Sequence, residues 1–425
     1  MSSVDADGTL VETVFIASDG TTSFVRQSAS GLERVATIDR DGRTCVPVRP
    51  GNDLLKHRAL LFPSAPAPCG TGEQLLGEIE AYIAQYVSLS DDARKLSAAY
   101  VVLTWLYDAF REVPYLRFRG EYGTGKTRAL IVVGSIAYKP FFASGASTVS
   151  PIFHTIDTFK GTLIFDEADF RFSDEKAELV KILNNGNVEG FPVLRSQVTP
   201  QKEFEPRAFH VFGPKIVAMR GHYDDRALES RFLSIDMEPS ACGGAPINLP
   251  DAHGEDGLAL RNQLLSFRLR ERLSTRLYDS LAVPALEPRM NQILIPLLSV
   301  VPPGAYRDAI LRHAERHQNR TVADRGDTVE GHVLGVIHGL AVEKDSTPVP
   351  LSAIATAFRD AYAGEYERPI TNRYVGSVIR RLGLQPFKSH GTYVLAVAGN
   401  ERLAALYRRF GIVDTVGTES GEVPS

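Results

Sequence analysis

The chain has 425 residues, carries a formal net charge of −4 and is 44% hydrophobic, a composition typical of a globular protein with several domains. This charge excludes a basic field over the whole molecule, so any binding to nucleic acid must come from local patches. Three scattered cysteines indicate a reducing, cytoplasmic setting, and we expect no membrane contact, because neither a signal peptide nor an apolar run of roughly 20 residues is evident.

Alternating apolar and polar residues in the first part of the chain predict short antiparallel strands at 11–18, 22–27, 32–38 and 44–48. These strands would form a small β-rich module, which a Pro-rich linker ends by residue 70. Helical periodicity then predicts two helices over 71–112, packed on the domain that follows.

A phosphate-binding loop follows a strand predicted at 115–118 and precedes a helix-forming run at 128–137. The loop matches Gly-x-x-x-x-Gly-Lys-Thr, and the residues expected to bind ATP are Gly120, Glu121, Tyr122, Gly123, Thr124, Gly125, Lys126, Thr127 and Arg128. Its glycines let backbone N–H groups turn toward phosphate oxygens, Lys126 would reach the β- and γ-phosphates, and Thr127 would hold Mg²⁺. The alternative is an ordinary glycine-rich turn.

An apolar strand predicted at 162–166 ends in two adjacent carboxylates, Asp166 and Glu167. Asp166 would hold Mg²⁺ through water, and Glu167 would orient and deprotonate the attacking water, which suits a hydrolase better than a kinase. The alternative is a buried strand followed by an acidic helix cap. With further strands at 210–218 and 231–236, the pattern predicts an α/β core with a parallel sheet over 113–240.

A hairpin is predicted over 190–209, where two strands are separated by a polar turn at Thr199-Pro200. Its basic residues would suit contact with a polynucleotide. A surface hairpin with solvated charges is the alternative interpretation.

Two arginines are candidates for contact with phosphates. Arg231 precedes the last strand of the core, where an arginine often faces the nucleotide of a neighbouring subunit, and a surface salt bridge is the alternative. Arg289 follows Pro288 in a segment at 241–325 that we expect to form a helical lid, with helix over 256–320. It would return to the phosphates or be a solvated arginine of the first helical turn.

The segment 326–400 predicts a winged helix-turn-helix, with helices at 329–343, 350–363 and 371–382 and a two-stranded wing around residues 388–391. The side chains expected to contact DNA in it are Arg373, Arg380, Arg381, Lys388 and His390. Because winged helices also dock proteins, that alternative stays open. The tail at 401–425 is expected to be partly disordered.

The order of these features resembles the hexameric AAA+ helicases, over roughly residues 113 to 397. The short interval between the loop and the acidic pair is similar to superfamily 3 and to the helicase parts of phage and plasmid primase-helicases. Glu229-Ser230-Arg231-Phe232, together with the C-terminal winged helix, is similar to MCM replicative helicases.

The resemblance implies an α/β fold with a P-loop AAA+ ATPase core, flanked by the N-terminal β module, the helical lid and the winged helix. It implies Arg231 as arginine finger, Arg289 as sensor 2, and the hairpin, with Arg195 and Lys202, as the element that grips single-stranded DNA in a central pore. The polar sensor-1 residue of the family is replaced by Met219-Arg220, so Arg220 is the candidate for that role. No primase motifs precede the core.

The function implied is an ATP-dependent DNA helicase or translocase of a replication system, expected to belong to a mobile element and to act as a ring, with a hexamer expected. ATP and Mg²⁺ are the expected cofactors, and the partners are single-stranded, forked or duplex DNA and a replication protein bound through the N-terminal module. The alternative is an ATPase switch with a winged helix, a DNA-binding regulator or a signalling or defence NTPase that does not unwind DNA.

Overall fold

The structure is a computed structural model that describes residues 3–5, 7–40, 42–166, 174–198, 204–223, 225–238, 245–343, 348–362, 364 and 370–412, with backbone only at 174–177 and 198. The chain divides into two compact units, Met1–Glu315 and Arg316–Ser425. Among the helices of the described residues, none is both long enough and apolar enough to span a bilayer.

The strands are β1 Ser3–Val4, β2 Leu10–Ile16, β3 Thr21–Ser28, β4 Gly31–Val35, β5 Ile38–Arg40, β6 Arg43–Cys45, β7 Tyr115–Arg119, β8 Phe141–Ser144, β9 Leu163–Asp166, β10 Val193–Val198, β11 Phe204–Phe209, β12 Lys215–Met219, β13 Phe232–Asp236, β14 Val349–Pro350, β15 Phe387–Ser389 and β16 Thr392–Leu395. The helices are α1 Asp53–Lys56, α2 Gly72–Tyr86, α3 Asp91–Leu106, α4 Lys126–Ser135, α5 Val149–Phe159, α6 Asp174–Asn185, α7 Arg226–Glu229, α8 Ala252–Glu271, α9 Pro288–Ser299, α10 Ala305–Gly326, α11 Val329–Glu343, α12 Leu351–Tyr362, α13 Asn372–Arg381 and α14 Glu401–Arg409.

A parallel sheet in the order β13-β7-β12-β9-β8 forms the centre of the first unit. Its inner strands are mostly apolar, because helices cover both faces, and the charged Arg117 and Lys215 on them are buried and hydrogen-bonded. Leu116 and Ile216 face a core shared with α2, α3, α4, α8 and α9, whereas Tyr115 and Val217 face a core shared with α5 and α6. The parallel direction brings all the strand ends to one edge of the sheet and all the strand starts to the other.

Several elements differ from the sequence expectation. The strand expected from 210 begins only at Lys215, because the carbonyls of Val211 and Gly213 turn back to accept hydrogen bonds from its Nζ. The helical stretch expected over 256–320 is interrupted between the end of α8 and Pro288, where only a short 3₁₀ turn, Asp279–Leu281, occurs. Strand β8 and helix α5 had no sequence prediction.

The N-terminal sheet, in the order β1-β2-β3-β4, shares its core with the helices around the central sheet through Leu10, Val14 and Val25. Glu12 of β2 is also buried there. Its carboxylate accepts hydrogen bonds from Arg268 Nε at 2.6 Å and from Tyr138 Oη at 2.8 Å, and it lies 3.3 Å from Lys139 Nζ. A buried ionic cluster therefore ties this sheet to α8 and to the segment that follows α4.

The second unit packs α11, α12 and α13 against a small antiparallel sheet in the order β14-β16-β15. Helix α14 was expected to be tail, yet its Leu403 and Leu406 are buried in the core of this unit. The part of the tail from residue 413, which includes the segment expected to be disordered, lies outside the described residues.

Candidate active site

The phosphate-binding loop runs directly from β7 into α4. Gly123 and Gly125 have φ angles of +76° and +88°, and a Cβ on Gly120 would lie 2.5 Å from the carbonyl oxygen of Met237, so this loop requires glycine. Within the described part of the chain, no side chain caps α4 at Gly125. The first backbone N–H groups of α4 can therefore donate to an anion, which the helix dipole also favours at this end of the helix.

The residues predicted for phosphate and Mg²⁺ lie at the edge where the strands of the sheet end. Lys126 Nζ donates to the carbonyl of Glu121 at 2.6 Å, and Thr127 is exposed. Asp166 ends β9, which is separated from β7 by β12 alone, so it lies roughly 10 Å to the side of the loop. That spacing leaves room for a hydrated Mg²⁺ and its phosphates. The predicted general base, Glu167, lies outside the described residues.

Two arginines near the loop have partners within the chain. Arg128 donates to the backbone carbonyls of Pro246 and Ile247, so its guanidinium holds the segment after the core beside the start of α4. Arg220 directly follows β12, and its guanidinium carbon lies 3.7 Å from the ring centroid of Tyr122 in the loop. Arg220 thus lies at the same edge of the sheet as the phosphate-binding loop, and its role as sensor 1 stays a prediction.

Arg231 lies at the opposite edge of the sheet from the loop of its own chain. Its carbonyl accepts the N–H of Tyr115, the first residue of β7, at 2.9 Å. The parallel register pairs Tyr115 with Phe232 and Arg119 with Asp236, so the five residues of β7, about 16 Å, separate Arg231 from Gly120. The guanidinium of Arg231 therefore does not reach a phosphate bound in its own loop.

Two asparagine side chains hold the guanidinium of Arg231. Its Nε donates to Asn187 Oδ1 at 2.8 Å, and its Nη1 donates to Asn184 Oδ1 at 2.5 Å. Burial lowers the pKa of Arg231, and the positive charge of Arg289 acts in the same direction. Because both acceptors are neutral amides, they fix the direction of the guanidinium without cancelling its charge.

Arg289 lies at the same edge as Arg231. Its Nη1 is bonded to Glu112, whose Oε1 also accepts a hydrogen bond from Asn187 Nδ2 at 3.1 Å. Glu112 stands three residues before β7, so this contact keeps Arg289 at the start of the strands. The structure therefore brings Arg289 together with Arg231 and separates both from the phosphate-binding loop.

A buried arginine on β7 supports the short helix that precedes Arg231. Arg117 is fully buried, and its guanidinium donates to both carboxylate oxygens of Glu229 and to Ser234 Oγ, the latter at 2.7 Å. Burial alone would raise the pKa of Glu229, but Arg117 and His222 lower it to about 2. This pair was not predicted from the sequence, although an arginine in the middle of an apolar strand is itself a signal of a buried ion pair.

The hairpin of β10 and β11 pairs from Val193↔Phe209 to Val198↔Phe204. Both Nη atoms of Arg195 donate to the Glu178 carboxylate, at 2.9 and 2.8 Å, so this predicted DNA contact already has an ionic partner. Two large apolar side chains are exposed instead, Phe204 at 79% and Leu194 at 66%, and the register places them on one face. Lys202 and the turn at 199–203 lie outside the described residues.

The second unit exposes most of its predicted DNA contacts. Arg373, Ser377 and Arg380 follow one another along a single side of α13, opposite the buried Val375, Val378 and Ile379, and both arginines are exposed. Arg381 donates to Glu330 Oε1 at 3.0 Å. Lys388 on β15 and His390 in the turn to β16 are both exposed, and His390 has a φ of +45°.

Comparisons with known proteins give similar solved structures but no sequence match. No protein-family model and no curated protein matches the chain. The similar structures include the C-terminal region of NrS-1 (11% identity, 91% of this chain and 97% of that one, TM-score 0.38) and the SCCmec type IV Cch helicase (12%, 91% and 79%, 0.37). Another is the Aeropyrum pernix ORC1 protein in complex with DNA (12%, 80% and 98%, 0.24). At such TM-scores the similarity decides neither fold nor function.

Proposed function

We propose that this protein hydrolyses ATP with Mg²⁺ to move DNA, as a ring in which two copies of the chain share each nucleotide site. The observation that carries the proposal is the placement of the phosphate-binding loop and Arg231 at opposite edges of one sheet. A head-to-tail contact brings the strand starts of one copy to the strand ends of the next, and a ring forms when such contacts close. The resemblance to hexameric helicases supports six copies and a role in the replication of a mobile element.

Residues from two copies would meet at each contact in the ring, which we call the seam, and each copy would supply part of the catalytic site. Bound Mg²⁺·ATP would supply the phosphoryl group to be transferred, with charge building up on its oxygens. From one copy, Lys126 would leave the Glu121 carbonyl for the phosphates, Thr127 and Asp166 would hold the cation, and Glu167 would activate water. From the next copy, Arg231 would donate to the γ-phosphate, with Arg289 beside it, where fixed donors stabilise the developing charge.

Two regions are proposed to hold DNA. The hairpin would contact a single strand through the exposed ring of Phe204, because bases stack on aromatic side chains regardless of sequence. In the second unit, Arg373 and Arg380 on α13 would contact duplex phosphates or base edges, with Lys388 and His390 on the adjoining wing. Contact with a forked substrate would use both regions.

Hydrolysis rates of single variants test the proposed site. Lys126→Ala and Arg231→Ala should each slow ATP hydrolysis by at least about a thousandfold, which is the lower end of what an arginine finger supplies. Arg226→Ala is the matched control, because Arg226 is an exposed arginine of α7, the short helix that precedes Arg231, and the change should alter the rate less than about twofold. Wild-type hydrolysis by Arg231→Ala would contradict the shared site.

A second candidate is an ATPase switch that changes its assembly without moving DNA. It is favoured by the charge of the hairpin, since Arg195 is paired with Glu178 and Arg207 lies 3.9 Å from Asp157. The rate of ATP hydrolysis with and without oligo-dT separates the two. A translocase should be stimulated several-fold, with DNA affinity that falls as salt rises, whereas an unchanged rate would favour the switch.

A further inference from the structure

Segment 184–189, which consists of the last two residues of α6 and the turn that follows it, joins the strand starts of the sheet to the base of the hairpin. The carbonyl of Gly186 accepts the N–H of Gly213 at 3.0 Å and Lys215 Nζ at 3.1 Å. Lys215 Nζ also donates to Val211 and Gly213, both at 2.9 Å, and is fully buried. Because Gly186 precedes the hairpin and Val211 and Gly213 follow it, the single Nζ atom of Lys215 holds both ends of the hairpin together.

Segment 184–189 also carries both hydrogen-bond acceptors of Arg231. Asn184 and Asn187 lie on either side of Gly186, and Asn187 is only 1% exposed. The backbone carbonyl of Asn187 accepts the N–H of Val113 at 2.9 Å, and its amide donates to Glu112, the partner of Arg289. A movement of either arginine therefore acts directly on the segment from which the hairpin extends.

We infer that Asn184 and Asn187 are positioning residues that couple Arg231 to the hairpin of the same chain. The inference rests on the proposed function. Arg231 has five N–H donors, of which the two asparagines engage one on Nε and one on Nη1, so it can donate to a phosphate of the neighbouring copy while it stays bonded to both. A shift of the guanidinium toward that phosphate then pulls on the two amides. Loss of a donor at the buried amide of Asn187 would be costly, so segment 184–189 moves with Arg231 and the hairpin shifts with it.

Coupling of this kind is reciprocal and can be measured as an equilibrium. If nucleotide at the seam biases the hairpin, a non-hydrolysable ATP analogue changes the affinity for oligo-dT, and oligo-dT changes the affinity for the analogue by the same factor. We expect a factor of about 5 to 150 for the wild-type protein, the usual range for coupled sites.

The experiment measures the dissociation constant of fluorescent oligo-dT by anisotropy, with and without the analogue, in full-length protein. In Asn184→Ala and Asn187→Ala we expect the ratio of the two constants to fall below about twofold, with oligo-dT affinity in the absence of nucleotide unchanged. Asn185→Ala is the matched control, because the Asn185 amide is bonded to Lys181 within α6 and not to Arg231. It should keep the wild-type ratio.

A wild-type ratio in both variants would overturn the inference while leaving the proposed hydrolysis intact. Asn184 is only partly buried, so Asn184→Ala should fold even if Asn187→Ala does not, and it decides the question alone. The inference would also be overturned if the analogue did not change the oligo-dT affinity of the wild-type protein. If the wild-type protein did not hydrolyse ATP, the proposed function would be overturned instead. The two failures are therefore distinguishable.

Discussion

At the scale of single residues, the chemistry of Arg231 depends on the shape of its side chain as well as its charge. A guanidinium donates from Nε and Nη1 to two asparagine oxygens at once. An ammonium group on a flexible stem cannot reproduce this fork, so it would carry the charge without the direction.

Arg231→Lys therefore should lower kcat for ATP hydrolysis at least about tenfold, with little change in the KM for ATP, because the lost contact matters mainly in the transition state. Steady-state kinetics with saturating oligo-dT measures both constants. Arg226→Lys, at an exposed position of the helix that precedes Arg231, should behave as wild type. An Arg231→Lys enzyme as fast as wild type would show that charge alone is enough.

At this scale the sequence predicts a site only where the residues that form it are close together in the chain. Glycines, Lys126 and Thr127 fall within eight consecutive residues, so their spacing alone predicts a phosphate loop. The partners of Arg231 are not local, because Asn187 stands 44 positions away and Asn184 stands 47 away. Asparagine beside glycine is also a common turn sequence, and nothing in it distinguishes an arginine ligand.

At the scale of elements, the parallel sheet was predictable because mostly apolar strands alternate along the chain with helix-forming segments. Strand β8 was missed because it has only four residues, and its apolar part, Phe141-Phe142, directly follows Pro140. The charge pattern of the hairpin predicted basic contacts, but Glu178, on the preceding helix, pairs with Arg195. An ion pair between two elements cannot be predicted from the local sequence. Because Arg195 is paired, the apolar face of the hairpin is the better candidate for contact with DNA.

For the hairpin, Phe204→Ala should weaken binding of oligo-dT by roughly 5 to 150-fold, which corresponds to about 1–3 kcal/mol for one stacked base. The dependence of affinity on salt should stay the same, because no phosphate contact is removed. Leu32→Ala is the control, since Leu32 is an exposed apolar residue (51%) of the N-terminal sheet. Unchanged affinity in Phe204→Ala would exclude the ring from the DNA contact.

For the second unit, Arg373→Ala and Arg380→Ala should each weaken binding to duplex DNA and reduce the slope of log affinity against log salt by about 1 if the contact is to phosphate. Arg381→Ala provides a comparison on the same helix, because Arg381 is paired with Glu330 and should matter less. If none of the three substitutions changes the affinity for duplex DNA, a protein-docking role for this unit is favoured.

At the scale of the whole molecule, the N-terminal sheet is part of the fold of the first unit. Glu12, Arg268 and Lys139 are each at most 2% exposed, and they connect β2 to α8 and to the segment after α4. Removing one member of such a buried group leaves an uncompensated charge in the interior. The sequence predicted the strands but not this connection, because Glu12 and Arg268 are 256 positions apart.

Glu12→Gln therefore should lower the free energy of unfolding by about 3–5 kcal/mol, as measured by urea denaturation. Glu33→Gln is the matched control on the same sheet, because Glu33 forms an exposed pair with Arg26 and should cost less than about 1 kcal/mol. Equal effects in the two variants would show that the N-terminal sheet does not depend on the buried cluster.

In the proposed ring, each nucleotide site combines Lys126 of one copy with Arg231 of the next. Mixing Lys126→Ala and Arg231→Ala proteins in equal amounts is the decisive experiment, because neither should be active alone and about one seam in four of a randomly mixed ring contains both intact residues. We predict recovery of about a quarter of the wild-type rate of ATP hydrolysis if the seams act independently. A mixture of exchanged subunits that stays as inactive as its two components would contradict the shared site.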